Sequence, residues 1–144
     1  MAKKRRVALM LELGLPFRCN MDVFAGCQQY AAEVGWDCII NPFADRMLGG
    51  RGAGAFDGVL AHATLPLAKA ARRARVPMVN VSVNSPEGKV ASVIPDCEAA
   101  GAMAAEHLLG RGFRQFGFLG FARNAFSQLQ HEGFRTVLKR EGFP

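Results

Sequence analysis

Apolar positions fall into short continuous runs and longer stripes with helical spacing, and the two alternate. Residues 7–13 (VALMLEL) are almost wholly apolar, as expected of a strand covered on both faces. From Asn20, a residue type that caps helices, Val23, Phe24, Cys27, Tyr30, Ala31 and Val34 recur on one helical face, and Gly35 ends it. Residues 36–42 predict a second strand, 43–48 a short helix and 58–64 a third strand. Pro66 suits the first turn of the next helix. That helix buries Leu67, Ala70, Ala71 and Ala74, and turns Arg72, Arg73 and Arg75 to water before Val76-Pro77 stops it. Residues 77–83 and 89–94 predict the fourth and fifth strands, with the turn cluster Asn84-Ser85-Pro86-Glu87-Gly88 between them.

The stretch 92–120, SVIPDCEAAGAMAAEHLLGRGFRQFGFLG, organises the rest. Asp96 is placed to cap a helix, and Glu98 in its first turn suits the helix dipole. Ala100, Met103, Ala104 and Leu108 form the expected buried stripe. Gly110 or Gly112 offers a left-handed stop, with Phe113 folding back on the last turn. Residues 116–121 predict a further strand. Ser127 is the expected cap of the last helix, with Gln130 completing a capping box. Phe134, Val137 and Leu138 form that helix's apolar face, and Gly133 admits a close neighbour.

Strands that alternate with helices imply an α/β fold with a largely parallel, three-layer sheet. Ligands of such sheets bind beyond the carboxyl ends of the strands. The candidate site residues are those just past each strand: Phe17, Arg18, Asn41, His62, Thr64, Ser82, Asn84 and Asp96.

Composition narrows the chemistry. The chain has 144 residues, enough for about one domain, and a formal net charge of +6. Part of that charge is Lys3-Lys4-Arg5-Arg6 and part Arg72-Arg73-Arg75. No helix-turn-helix pattern or aromatic-interleaved basic patch accompanies them, so both read as solvated faces. Cys19, Cys27, Cys38 and Cys97 show neither C-x-x-C pairing nor His partners at zinc spacing. Unpaired thiols suit a reducing, cytoplasmic setting. Glu12 interrupts the first apolar run and no small-x-small cleavage site follows, so the basic head is not read as an export signal. No run is long enough to span a membrane.

GGRGAGAFDG (49–58) tempts a phosphate-loop reading, but it lacks the Lys-Ser/Thr and precedes a strand where that motif follows one. No catalytic set emerges: no nucleophile elbow, no paired carboxylates, and no third partner for Ser127 and His131. His62, His107 and His131 make no metal set. The chain is expected to be no enzyme and to need no cofactor.

The pattern D-x-x-x-A-G from Asp96, then A-x-x-H-L-L-x-x-G-x-x-x-x-x-F-L-G from Ala104, resembles the segment joining the two lobes of LacI/GalR-type sensor domains. Asp57-Gly58-Val59-Leu60, Val76 to Ser82 and Gly133-Phe134 fall in that family's order and spacing. The wording of PMVNVSVNSPEGKVASVIPD (77–96) is closest to xylose-operon regulators of the XylR type, whose sensor precedes an AraC-type DNA-binding region. The resemblance implies a periplasmic-binding-protein-like type I (flavodoxin-like) lobe over residues 1–112. Residues 113–144 then begin an incomplete second lobe, so a fragment is expected. It also implies a cytoplasmic, effector-sensing region of a transcriptional regulator. Sugar, D-xylose or another pentose, closes the lobes and shifts a linked DNA-binding module that is absent from this chain.

A sugar wants carboxylate acceptors, amide or guanidinium donors, and an aromatic ring for its apolar face. The ligand set implied is Asp96, Arg18, Phe17, His62, Asn84 and Gln130. Asp96 can cap with one oxygen and meet ligand with the other. One departure stands out: sensors of the family often carry Arg where Gln130 stands, three residues before Gly-Phe, so the ligand differs or Gln130 only serves the cap. The strand 116–121, with an unpaired edge, is expected to associate with a second copy as a homodimer, possibly by exchange. Two other functions share the fold class. A periplasmic sugar-binding protein for transport would want an export signal, and an NAD-dependent Rossmann-type enzyme a G-x-G-x-x-G where Gly14-Leu15-Pro16 stands. A flavodoxin-like response module would want clustered acids after the first strand, where only Glu12 occurs.

Overall fold

The computed structural model describes residues 4–14, 18–48, 55–86 and 88–144, with the side chain of Arg18 outside the description. Phe17 and the glycine-rich stretch 49–54 lie outside the described residues. The chain divides into two compact units, Met1–Val93 and Ile94–Pro144.

The first unit is a five-stranded sheet with helices. Its elements are β1 (Arg6–Met10), α1 (Arg18–Val34), β2 (Asp37–Ile40), α2 (Ala44–Met47), β3 (Gly58–Ala61), α3 (Leu65–Ala74), β4 (Met78–Asn80) and β5 (Ala91–Ser92). The strand order is β2-β1-β3-β4-β5, and every pair is parallel. Ala8 aligns with Ile39 on one side and with Val59 on the other. This row, with Ala61, packs against Leu48, Leu67 and Ala71 of the α2 and α3 region. Successive residues of a strand face opposite ways. Leu9, on the other face, is also fully buried, so both sides of the sheet are covered. α1 lies against edge strand β2, where the Gln28 amide donates to the Cys38 carbonyl at 3.1 Å. The parallel three-layer expectation is met, with each strand shorter than the apolar run that predicts it.

The basic head is tied to the amino ends of these strands. Lys4 pairs with Asp37 at 2.7 Å, and the Arg5 guanidinium lies 5.2 Å over the Trp36 ring. The Arg6 amide donates to Asp57 at 2.8 Å. Thr64 caps α3 by accepting from the Leu67 amide, Pro66 stands in the first turn, and Arg75 closes the helix in the left-handed region at φ 56°. Helix α1 begins at Arg18, before the expected cap Asn20. Asn20 is buried within the first turn and donates back to the Glu12 carbonyl at 2.9 Å, tying the helix to the loop after β1.

The second unit is two helices and an extended segment. α4 (Cys97–Gly110) is capped by Asp96, whose carboxylate accepts from the Ala99 amide at 2.9 Å. Gly112 is left-handed at φ 84°, and the Phe113 amide folds back to the Leu108 carbonyl at 3.2 Å, as the sequence predicts. α5 is Ala125–Arg140. Asn124, and not Ser127, caps it, accepting from the Ser127 amide at 3.1 Å. Ser127 is buried inside the first turn, so the Ser127–Gln130 capping box does not form: an amide side chain three residues earlier already holds the orphan donor. Packing puts α4 with α5, and the compact units part at 93/94.

The helices meet through two glycines. A Cβ on Gly101 would fall 1.9 Å from the Gln130 carbonyl oxygen, and one on Gly133 1.9 Å from that of Glu98. Further along, Arg140 pairs with Glu106 at 3.3 Å, so the two helices run in the same direction. The buried face of α4 is therefore Cys97, Gly101 and Ala105, not the expected Ala100, Met103 and Ala104. Met103 is 68% exposed. α4 has apolar residues on every side, with Glu98, Glu106 and His107 spread around it, and close backbone approach selects its smallest face rather than its most hydrophobic one.

Residues 113–120 are extended but form no strand, because among the described residues nothing lies alongside to complete a ladder. The segment runs along α5 in the opposite sense. Phe116 meets Phe134 and Phe143, Phe118 meets His131 and Phe134, and Gly120 lies against Ser127.

Candidate functional site

In an all-parallel sheet the carboxyl ends of the strands share one edge. At this edge of the first unit β1 leads to Glu12, β2 to Asn41, β3 to His62–Thr64, β4 to Ser82–Asn84 and β5 to Val93. The edge is laced by one residue, Asn80, the last of β4 and only 3% exposed. Its side-chain oxygen accepts from the Ala63 amide at 3.1 Å and the Ser82 amide at 3.0 Å. Its nitrogen donates to the Ser82 carbonyl at 2.9 Å and to the Ser92 hydroxyl at 3.2 Å. A second tie is Ser85, whose hydroxyl donates to the Ala63 carbonyl at 2.8 Å. The turns after β3 and β4 are thus fixed to each other and to β5 by fully satisfied polar groups.

His62 and Asn84 both stand on this laced edge. His62 directly follows β3 and is half-buried. Asn84 is exposed in the turn after β4, its amide donating to the Ser82 hydroxyl at 3.3 Å. Two further candidates are partly committed. Asn41 accepts from the Phe43 amide at 2.9 Å to form a turn, and the Thr64 hydroxyl accepts from the Leu67 amide at 3.3 Å. Arg18 starts α1, beyond the carboxyl end of β1, with its side chain outside the description; Phe17 lies outside it altogether.

Asp96 and Gln130 belong to the second unit. Asp96 is exposed, and its cap engages Oδ1 alone. Gln130 is half-buried on α5, beside Gly101. The candidates thus divide between the units, His62 and Asn84 in the first and Asp96 and Gln130 in the second. The sequence reading missed Asn80. The signal lay in plain view: a lone amide inside the apolar run PMVNVSV, at a position that a buried strand fills only when every polar atom finds a partner.

Chemically, the edge offers hydroxyls, amides and an imidazole, groups that donate and accept hydrogen bonds, with the Glu12 carboxylate after β1. No group of three or more His, Cys, Asp or Glu is disposed to hold a metal ion among the described residues. Burial raises the thiol pKa of Cys27, Cys38 and Cys97, at Cys38 with smaller contributions from Cys27 and Asp37 and at Cys97 from Asp96. A raised thiol is a poor nucleophile at neutral pH. No helix among the described residues is long and apolar enough to cross a membrane.

No family model matches the chain, and no curated protein matches it. Solved structures do. A transcription regulator-like protein from Staphylococcus haemolyticus is 17% identical with a TM-score of 0.74, over 96% of this chain and 58% of that one. The transcriptional regulator CelR, in complex with cellobiose, is 24% identical with a TM-score of 0.73, over 100% and 49%. A periplasmic binding protein/LacI transcriptional regulator from Alkaliphilus metalliredigens, complexed with D-xylulofuranose, is 13% identical with a TM-score of 0.70, over 99% and 55%. The fold is thus that of LacI and periplasmic-binding-protein-like domains, and the chain spans about half the length of these structures.

Proposed function

We propose that the chain is the effector-sensing region of a sugar-responsive transcription regulator. The observation that carries this is the laced edge: Asn80 and Ser85 fix the turns bearing His62 and Asn84 where parallel sheets receive ligands. The likeness to regulators solved in complex with cellobiose and D-xylulofuranose supports the ligand class. Such donors and acceptors suit hydroxyls, and the free oxygen of Asp96 suits a pair of them. Among sugars a pentose such as D-xylose is the first to try, on the wording of residues 77–96. Occupancy would bias a DNA-binding module in a longer chain, through the difference in affinity between two conformations. The setting is cytoplasmic, and no catalysis is assigned.

An amide NMR titration with D-xylose, other pentoses, cellobiose and nucleotides tests this. The expected result is weak binding whose shifts cluster at Asn41, His62–Thr64 and Ser82–Asn84 of the first unit. Asp96→Asn keeps the cap, since Asn caps as well as Asp, but abolishes the carboxylate's share of the sugar response. If no sugar shifts these amides, or nucleotides shift them instead, the sensor reading fails.

A further inference from the structure

The two basic runs of the sequence lie far apart along the chain, and the fold brings them to one edge. In a parallel sheet every strand starts at the same edge, and each crossover helix returns the chain to it. Lys4, Arg5 and Arg6 lead into β1 there. α3 ends there with Arg72, Arg73 and the cap Arg75, just before β4. Backbone bonds tie the region together. The Asp37 amide donates to the Arg5 carbonyl at 2.8 Å, the Asp57 amide to that of Arg6 at 2.7 Å, and the Val59 amide to that of Pro77 at 2.9 Å. All six cations are exposed. Glu33, Asp37 and Asp57 stand at the same edge, so among the described residues cations outnumber acids there two to one. Residues 1–93 carry twelve Lys and Arg against seven Asp and Glu, so most of the net charge of +6 belongs to the first unit.

Two details go beyond a solvated charge. The Arg5 guanidinium lies over the Trp36 ring at 5.2 Å and that of Arg6 over the Phe56 ring at 5.6 Å, so aromatic faces hold both groups at the sheet end. Arg75, at φ 56°, is the one non-glycine residue with positive φ among the described residues. Glycine is the usual occupant of a left-handed helix cap, since it has no Cβ to clash. Here the chain accepts the strain and carries a guanidinium.

We propose that this amino edge lies against the phosphate backbone of duplex DNA, at the end of the sheet opposite the laced edge. The proposal rests on the regulator reading, which brings a duplex within reach. Five of the six cations are arginines, whose planar forks match phosphate oxygens. The edge from β2 to β4 spans four neighbouring strands and is about 14 Å long. One strand of a duplex presents about four phosphates over that length. Phosphate contacts orient a protein and carry no sequence information. The edge therefore adds affinity and orientation to a module that reads the bases, without choosing the site.

Fluorescence anisotropy of a labelled duplex of arbitrary sequence, about 20 base pairs long, tests this over a range of salt. The unaltered chain should bind at low salt. Arg72→Gln with Arg73→Gln should weaken binding about tenfold and lower the slope of log K against log salt by about 2, nearly one for each lost phosphate contact. Arg111→Gln with Arg114→Gln removes the same charge from the second unit and should leave binding within about twofold, since charge away from the contact adds little. Arg75→Gly separates contact from fold: glycine suits the left-handed cap, so the urea midpoint should hold while binding weakens. A chain that does not bind the duplex at low salt overturns the proposal. So does a second-unit pair that costs as much as the edge pair, or phosphatidylserine vesicles bound more tightly than the duplex. Sugar shifts at the laced edge without duplex binding would refute this proposal alone. Duplex binding that depends on Arg72 and Arg73, without any sugar shift, would refute the sensor reading alone.

Discussion

Gly133→Ala gives the sharpest reading of how the second unit holds together. Taken as a helix residue alone, alanine should be preferred to glycine by about 1 kcal/mol. The new Cβ, however, would lie 1.9 Å from the Glu98 carbonyl oxygen, 2.8 Å from its carbon and 3.0 Å from the Ala102 nitrogen. These are backbone atoms of α4, and no rotamer change removes them. Ordinary contact begins near 3.4 Å, so α4 and α5 must part by about 1.5 Å. A radial gap of about 0.5–1 Å already forfeits a quarter to a half of a dispersion contact. The losses would spread over Ala105, Phe134, Val137 and Leu138, which form the unit's core. Overpacking typically costs about 1–3 kcal/mol; with lost contacts added and the helix gain subtracted, a net destabilisation of about 2 kcal/mol is expected.

The control is the same substitution where space is open. Gly26 sits inside α1 with nothing within 4 Å of its Cβ position, so Gly26→Ala should stabilise by about 0.5–1 kcal/mol. Urea unfolding followed by far-ultraviolet circular dichroism, with amide exchange to assign the affected unit, measures both. Opposite signs are expected, with the loss at Gly133 confined to residues 94–144. A Gly133→Ala chain as stable as the unaltered one would refute the close-packed crossing of α4 and α5, and with it the face of α4 taken to be buried.

Two further outcomes follow from the first unit and the thiols. Asn80→Ala should cost about 2–3 kcal/mol, since it leaves the Ala63 and Ser82 amides without their acceptor. Amide exchange should quicken there first, and a neutral effect would deny the lacing role. Exposed Cys19 should react first with a disulfide reagent at neutral pH, well ahead of buried Cys97. The thiols of Cys27, Cys38 and Cys97 are raised by burial, so the unfolded chain gives up these protons at lower pH than the folded one. Their contribution is whole below the ordinary thiol range and is lost as pH rises through the folded values, so urea midpoints should fall on the alkaline side. Midpoints that rise there would reverse the assignment.

The first unit was the legible part of this chain. Apolar runs at 7–13 and 58–64 each contain an observed strand, because a parallel strand covered on both faces has no polar face to blur the signal; 36–42 contains the half-buried edge strand β2. The cap at Asp96 and the left-handed Gly112 are local chemistry, settled within a few residues of sequence. Of the candidate site, the strand-tip positions His62 and Asn84 were readable from chain order. Asn80 was not marked, since its value lies in partners at positions 63, 82 and 92 that only the parallel register brings to it.

The misreadings in the second unit share a cause. Each assigned to a residue a property that depends on a neighbour. Residues 116–121 have the composition of a strand, but a strand exists only by pairing, and no partner lies beside them among the described residues. Ser127 has the chemistry of a cap, but Asn124, three residues earlier, takes the orphan amide first. α4 has its polar residues Glu98, Glu106 and His107 spread around it rather than on one face, so hydrophobic periodicity cannot say which side is inside. Two glycines can: Gly101 and Gly133 are small where two backbones must touch. In a helix without a polar face, the place where the chain forgoes a side chain is better evidence of burial than the places where it carries a large one.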